Sequence, residues 1–213
     1  MRKIITILTF LTVSVSGYGQ TIEDFFTGHN YPVAWLGIDF SQVQLVGDFS
    51  HFGGHGPKDP GDLQIDYFPS WNRLLMNEPD KYNLKEFFRR PDLEININMV
   101  MARNAKAETD NMLTYSPKYF KKDDIRQIIE SYDLEGEVGI GIVFIAESLN
   151  KIDTEAYFHV IVLNMTNKEV LLSERLRGQP SGFGIRNYWA GAIFEILKNI
   201  DTRYYRLWRS KYM

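Results

Sequence analysis

Two histidines four residues apart, His51 and His55, lie in the part of the chain that is richest in glycine and proline. Aspartates stand on both sides of them, and imidazole nitrogens with carboxylate oxygens are common ligands of zinc and other divalent ions. Residues 50–66 hold too many glycines and prolines for regular structure, so we expect a long surface loop. If this loop folds back on itself, the histidines form a metal site of a small-ligand-binding or hydrolase-like protein. Because a loop fixes no common face, solvated histidines are the alternative.

Residues 178–184 form a glycine-rich segment between a predicted strand and a predicted helix. Backbone N–H groups at the start of a helix bind anions, so Gly182, Gly184 and Arg186 are a candidate anion site. The segment lacks the Gly-Lys-Ser/Thr ending of a P-loop and the third glycine of a dinucleotide motif. Glycines that only turn the chain and let the helix approach the sheet are the alternative.

Two serines, Ser148 and Ser181, lie near partial matches to known nucleophile motifs. Ser148 and Lys151 match the Ser-x-x-Lys pair of penicillin-recognising enzymes, but those enzymes place the serine at a helix start and add two further motifs that this chain lacks. Ser181 is not preceded by the glycine of a nucleophile elbow. His159 lies in a predicted strand, where a hydrogen-bonded structural role is expected. The sequence therefore predicts no catalytic residue and no cofactor, and it favours a non-enzymatic protein.

The chain ends in a basic and aromatic segment, residues 203–213, in which no acid follows Asp201. Segments of this kind bind anionic membranes or protein partners. Positive charge at a helix carboxyl end also matches the helix dipole, and aromatic side chains can pack on their own domain. The predicted partner-binding residues are Arg203, Tyr205, Arg206, Trp208 and Arg209.

Alternating strands and helices must position these groups. Residues 33–40 and 138–147 are apolar on both faces and predict buried strands, the second of them central. Residues 156–165 and 169–175 predict an antiparallel hairpin. Residues 93–103 alternate apolar and polar side chains, which predicts a strand with one face in water.

Helices are predicted around these strands by apolar residues at helical spacing. They follow Ser70 with a break at Pro79, begin again at Lys122, and run from Arg186 to the end of the chain. The predicted fold is α+β: a mixed sheet of about five strands, with helices packed mainly on one face and a long C-terminal helix.

Residues 1–19 have the features of a secretory signal peptide: Arg2 and Lys3, an apolar stretch, and a final Gly-Tyr-Gly. The apolar stretch is shorter than the roughly 20 residues that a membrane-spanning helix needs. We therefore predict a signal peptide, a single α+β domain over 20–213, a periplasmic or secreted location, and no transmembrane segment after processing.

Composition narrows the class of protein further. Without residues 1–19 the chain has 22 basic against 27 acidic residues, which does not favour nucleic-acid binding. The sequence contains no cysteine, so a lipoprotein signal is excluded and stability rests on an apolar core.

Residues 139–144, 160–172 and 188–190 resemble a unit that recurs in bacterial envelope proteins with an anticodon-binding-like fold. The similar families are the amino-terminal domain of the Tol-Pal beta-propeller protein, the curli secretion lipoprotein and the lipoprotein activators of penicillin-binding proteins. The resemblance covers about residues 138–200 and implies a central strand, a hairpin with a Thr-Asn-Lys-Glu-Val turn, and a returning helix. The signal peptide and residues 35–40 also resemble uncharacterised exported proteins of gram-negative bacteria.

Together these patterns favour a non-enzymatic exported cell-envelope protein with a partner-binding surface. The expected partner is an envelope protein or a second copy of the chain, since edge strands of an open sheet can pair between molecules. A small-ligand or metal-binding protein that uses the His51 and His55 loop is the alternative.

Overall fold

A computed structural model describes residues 19–28, 31–50 and 59–213. His51 and His55, and all of the predicted signal peptide except Gly19, lie outside the described residues. The metal site and the cleavage site therefore remain predictions from the sequence.

The described chain forms one mixed sheet, in which residues predicted as buried strands occupy the middle. The strands are β1 (Val33–Asp39), β2 (Gln44–Val46), β3 (Glu94–Ile95), β4 (Leu113–Thr114), β5 (Ile140–Asn150), β6 (Glu155–Asn164) and β7 (Val170–Gly178). Strand β5 is central, as predicted: β1 and then β2 pair in parallel along one side of it, and β6 pairs antiparallel on the other. The short strands β3 and β4 extend the sheet beyond β1 and β2, and β7 completes the predicted hairpin with β6.

Helices connect and cover the strands. They are α1 (Ile22–Thr27), α2 (Pro60–Asp62), α3 (Phe68–Asn77), α4 (Leu84–Phe87), α5 (Asn98–Asn104), α6 (Lys122–Glu130), α7 (Gly184–Asn199) and α8 (Tyr205–Tyr212). A π-helical turn, Leu63–Tyr67, joins α2 to α3, and a second, Ile200–Tyr204, joins α7 to α8. The long C-terminal helix is thus confirmed, and the chain is α+β.

Each face of the sheet has its own apolar core. The first core lies under α1, α3, α4, α7 and α8 and is rich in aromatic rings; Trp35 and Phe144, for example, meet edge to face at 4.9 Å. The second core is smaller: Ile125, Ile128 and Ile129 of α6 cover the apolar side chains of β5 and β6 on the opposite face. Helices therefore lie mainly on one face, as predicted. On the other face, most of the helical residues that cover the sheet come from α6.

Two sequence predictions are wrong in detail. The predicted strand at 93–103 contains only the two residues of β3, after which the chain turns into α5. Ile97, Val100 and Asn104 lie at helical spacing and are buried, so the same segment contains both a strand periodicity and a helical one. The predicted loop at 50–66 becomes helical from Pro60 onward, where Asp59 caps the helix start.

Candidate functional site

A cavity of about 960 Å³, here called the central cleft, lies on the face of the sheet that carries the second core. Residues 41–43, which connect β1 to β2, form its floor together with Gln44 of β2. The chain after α5, through Met112, forms one wall, and residues 118–131 form the other. The cleft therefore opens where β1 ends beside the parallel strand β5, and carboxyl ends of parallel strands are common ligand sites.

A buried ionic cluster closes the bottom of the cleft. Asp39, at the end of β1, is 1 % exposed, and its Oδ2 accepts hydrogen bonds from Arg103 Nε at 2.9 Å and Tyr132 Oη at 2.8 Å. Its Oδ1 accepts the Ser41 backbone N–H, and Arg103 Nε also reaches Ser41 Oγ at 2.9 Å. Burial raises the pKa of Tyr132 well above its ordinary value, and the Asp39 charge adds to the effect. The phenol therefore stays protonated, and the carboxylate is fully engaged as an acceptor.

Two asparagines hold the outer edge of β1 at the point where β3 no longer pairs with it. Asn72 Oδ1 accepts from Ile38 N–H at 2.7 Å, and Asn72 Nδ2 donates to Ile38 C=O at 2.9 Å. Asn104 Oδ1 likewise accepts a hydrogen bond from Phe40 N–H, and Asn104 Nδ2 donates one to Ile38 C=O. These amides replace a neighbouring strand, so β1 satisfies its backbone without a pairing partner at this point. Gly37 has φ of 107°, and a Cβ there would lie 2.7 Å from Asn72 Oδ1, so a glycine is required.

The second wall of the cleft is tied to the sheet by Glu147 of β5. The carboxylate is 1 % exposed and accepts hydrogen bonds from His159 Nε2 at 2.9 Å and from the Phe120 backbone N–H at 3.0 Å. Arg175 makes a two-pronged ion pair with it, with N···O distances of 2.6 to 3.1 Å. Desolvation by burial raises the pKa of Glu147, but the hydrogen bonds from His159, Arg175 and Phe120 outweigh it and lower this pKa to about 2. The group remains a carboxylate across the physiological pH range.

Aromatic rings flank the Arg175 guanidinium. Its centre lies 3.6 Å from the centroid of the Tyr157 ring and 4.9 Å from that of Tyr119. Phe120 stacks on the His159 ring at 6.0 Å. Residues 118–121 are thereby fixed against the sheet, and Tyr119 stands at the rim of the cleft.

The predicted anion site is occupied largely by the protein's own groups. Glu195 accepts the backbone N–H of Gln179, while Arg186 bonds Ser70 Oγ at 3.1 Å and lies 3.5 Å from a Glu78 oxygen. A Cβ at Gly178 would lie 2.3 Å from the Ala192 carbonyl, so this glycine allows α7 to pack closely on β7. These contacts favour the packing role that the sequence left as the alternative.

Gly182 and Gly184 both have positive φ, 112° and 76°, and turn the chain into α7. Anion binding at Gly182, Gly184 and Arg186 stays a prediction, and Arg186 already has an acidic neighbour.

The predicted partner-binding residues divide into two groups. Tyr205 and Trp208 are each 3 % exposed and pack in the first core, so their side chains are not accessible to a partner. Arg203, Arg206 and Arg209 lie on the exposed side of the terminal helix. Partner binding stays a prediction for the three arginines.

The remaining sequence candidates are not brought together into a reactive group. Ser148 is buried in β5, and Lys151 Nζ donates to the Asp48 carbonyl at 2.6 Å. His159 is buried and hydrogen-bonded, as predicted for a structural histidine. Within residues 19–28, 31–50 and 59–213, no group of three or more histidine, aspartate or glutamate side chains is placed to hold a metal ion.

Sequence reasoning missed Asp39, Arg103 and Glu147, which shape the cleft. A usable signal was present for two of them, because Asp39 and Glu147 end apolar stretches predicted as buried strands. A carboxylate at such a place needs charged or hydrogen-bonding partners. Their partners come from α5 and β7, distant in sequence, so the pairing itself could not be read from the chain.

Comparison with known proteins identifies no family model that matches the chain and no curated protein of significant similarity. In the described part of the chain, no helix has both the length and the apolar character needed to cross a bilayer.

Proposed function

We propose that this chain is a non-enzymatic exported protein of the cell envelope that binds an acidic protein through the outer face of α8. The single observation that carries the proposal is the division of the terminal helix into two sides. One side buries Tyr205 and Trp208 in the core, and the other presents a row of exposed cations. These cations are Arg203, Arg206, Arg209 and Lys211.

No acidic side chain after Asp201 neutralises the positive charge of this face. Asp201 is the last acid of the chain, and its carboxylate lies 3.7 Å from Arg89. The Arg206 guanidinium donates to the Thr202 carbonyl at 2.6 Å, which leaves its charge uncompensated. A surface of one sign attracts a partner of the opposite sign and raises the rate of encounter.

A protein partner fits this face better than a membrane does. Amphipathic helices insert an apolar side into a bilayer, but the apolar side of α8 is already packed in the core. On the outer side Leu207, 51 % exposed, is the large apolar residue between the arginines. An acidic protein surface needs no inserted apolar side, only complementary charge around a small apolar contact.

The state of the buried acids supports a binding role. Asp39 is engaged by Arg103 and Tyr132, and Glu147 by Arg175 and His159. The Glu147 carboxylate is a poor acceptor for a substrate proton, because its hydrogen bonds lower its pKa and stabilise the charged form.

The test places a photo-reactive amino acid at Leu207 of the exported protein in living cells. The chain recovered from the envelope fraction is expected to begin at Gln20 and to carry a covalent adduct with an acidic protein. The triple variant R203E/R206E/R209E should lose that adduct. The control K85E/K122E/R126E makes the same change in charge on exposed residues of α4 and α6 and should keep it.

Three outcomes would contradict the proposal. They are an adduct that persists in the α8 variant, an adduct formed only with a second copy of the chain, and the absence of any protein adduct. The affinity of the purified partner for the chain should also fall as the salt concentration is raised, because salt screens the exposed charges.

A further inference from the structure

The central cleft contains polar groups that the fold does not use. The side-chain amides of Gln42, Asn111 and Gln127 come from three separate elements, line the same cavity and are exposed. None of them makes a hydrogen bond to another residue in the described ranges. Each amide offers two donors and one acceptor carbonyl. Three amides that line one cavity without such a bond form a site suited to a ligand with groups that both donate and accept hydrogen bonds.

The charges around the cleft balance each other. The lining includes the cations Lys118 and Lys121 and the acids Glu108 and Asp124, and Arg103 at the bottom is paired with the buried Asp39. A site with no net charge offers no general attraction to an ionic ligand. The lining therefore points to a neutral ligand that is recognised by hydrogen bonds.

An aromatic ring stands at the rim. Tyr119 lines the cleft, is 74 % exposed, and is held by the Arg175 guanidinium at 4.9 Å. Arg175 is itself fixed by Glu147, so the ring is placed before any ligand arrives. A tyrosine ring combines an apolar face with a polar hydroxyl, which suits ligands that have both kinds of surface.

An extended peptide is a poorer fit to the cleft than a small neutral molecule. Peptides that bind beside a sheet pair with the backbone of an open strand edge. The edge of β1 nearest the cleft is occupied by Asn72 and Asn104, and β2 is paired with β4. Backbone pairing of this kind is therefore blocked along these edges of β1 and β2.

We propose that the central cleft binds a neutral oligosaccharide. Sugar hydroxyls both donate and accept hydrogen bonds, as the three amides require, and the apolar face of a sugar ring can stack on Tyr119. The cavity of about 960 Å³ is continuous in its lining with a side cavity of about 400 Å³, since both include Ser41, Gln42 and Arg103. This size accommodates several linked rings, at the upper end of the roughly 300–1,000 Å³ of small-molecule sites.

The test is calorimetric titration of the purified protein with four neutral hexasaccharides, built from glucose in α or β linkage, xylose, and N-acetylglucosamine. At least one should bind saturably. Gln127→Ala should weaken that binding by about fivefold and Tyr119→Ala by about tenfold, as expected for one lost hydrogen bond and one lost stacking contact. Gln179→Ala and Tyr115→Ala are matched controls, because both residues are exposed and lie outside the cleft.

Each outcome either supports or overturns the oligosaccharide proposal. Saturable binding that falls in both cleft variants and not in the controls supports the site. No binding of any of the four sugars, or binding that is equal in all variants, overturns it. The Gln127 side chain makes no hydrogen bond to another described residue, so we expect Gln127→Ala to fold normally, and an unchanged thermal melting temperature checks this. Failure of this site would leave the α8 proposal intact, because the two tests use different residues and different probes.

Discussion

At the scale of single residues, Glu147 links the sheet to the wall of the cleft. Its carboxylate takes charge-assisted hydrogen bonds from Arg175 and His159 and also holds the Phe120 backbone. The sequence placed Glu147 at the end of a strand predicted to be buried, but it did not single the residue out. It could not predict the partners, because Arg175 is 28 residues away and reaches Glu147 only through the register of the hairpin.

We expect Glu147→Gln to destabilise the protein by roughly 3 kcal/mol at pH 7, because Arg175 would lose its buried counter-charge. The pKa of Glu147 falls from 4.5 to about 2 on folding, so its contribution is complete above pH 4.5 and is lost as the pH falls toward 2. Urea unfolding between pH 7 and pH 2 measures both effects. The stability of the variant should vary less over the acid range, whereas the exposed-site control Glu130→Gln should follow the wild type. An equal acid dependence in all three proteins would contradict this account.

At the scale of elements, the passage from β3 to α5 shows how two periodicities compete. Ile95, Ile97 and Met99 alternate as in a strand, and Ile97, Val100 and Asn104 repeat as in a helix. The helix prevails because it directs Asn104 toward the unpaired backbone of β1, a contact with a residue more than 60 positions earlier. The hairpin and the terminal helix were predictable because each has only one periodicity, and the central strand was predictable because it is apolar on both faces.

Asn104→Ala should therefore cost about 2–4 kcal/mol, because Phe40 N–H and Ile38 C=O would both be left buried with fewer partners. The measurement is the free energy of unfolding in urea. Asn199→Ala in α7 is the control, since Asn199 has no side-chain hydrogen bond to any residue in the described part of the chain. It should change stability by less than about 0.5 kcal/mol. A loss at Asn104 no larger than the loss at Asn199 would show that the side chain does not hold the strand.

At the scale of the whole molecule, one sheet separates two apolar cores of different composition. All four tryptophans of the chain, Trp35, Trp71, Trp189 and Trp208, belong to the first core. The second core holds the isoleucines of α6 against β5 and β6. Tryptophan fluorescence therefore reports on the first core alone. The helical signal in circular dichroism reports on helices on both faces of the sheet.

Ile129→Ala removes a fully buried side chain from the second core and should cost about 2–5 kcal/mol. Because both cores share β5 and β6, we expect the tryptophan transition and the circular-dichroism transition to move together to lower urea concentration. Ile65→Ala is the control, since Ile65 is 73 % exposed. A tryptophan transition that stays at the wild-type midpoint would mean that α6 unfolds independently of the first core.

Strand β7 pairs only with β6 within the described residues, and its length has a consequence for behaviour at high concentration. An open edge of nine residues is a template with which a second copy of the chain can pair. Here the charges oppose that pairing: a two-fold antiparallel pair centred on Glu174 sets two carboxylates against each other, and one centred on Arg175 sets two guanidiniums against each other. The register shift opposite Val162 and Leu163 adds local twist, which further disfavours a flat seam. The charges of β7 therefore disfavour a dimer in which two copies of the chain pair through this edge in these two registers.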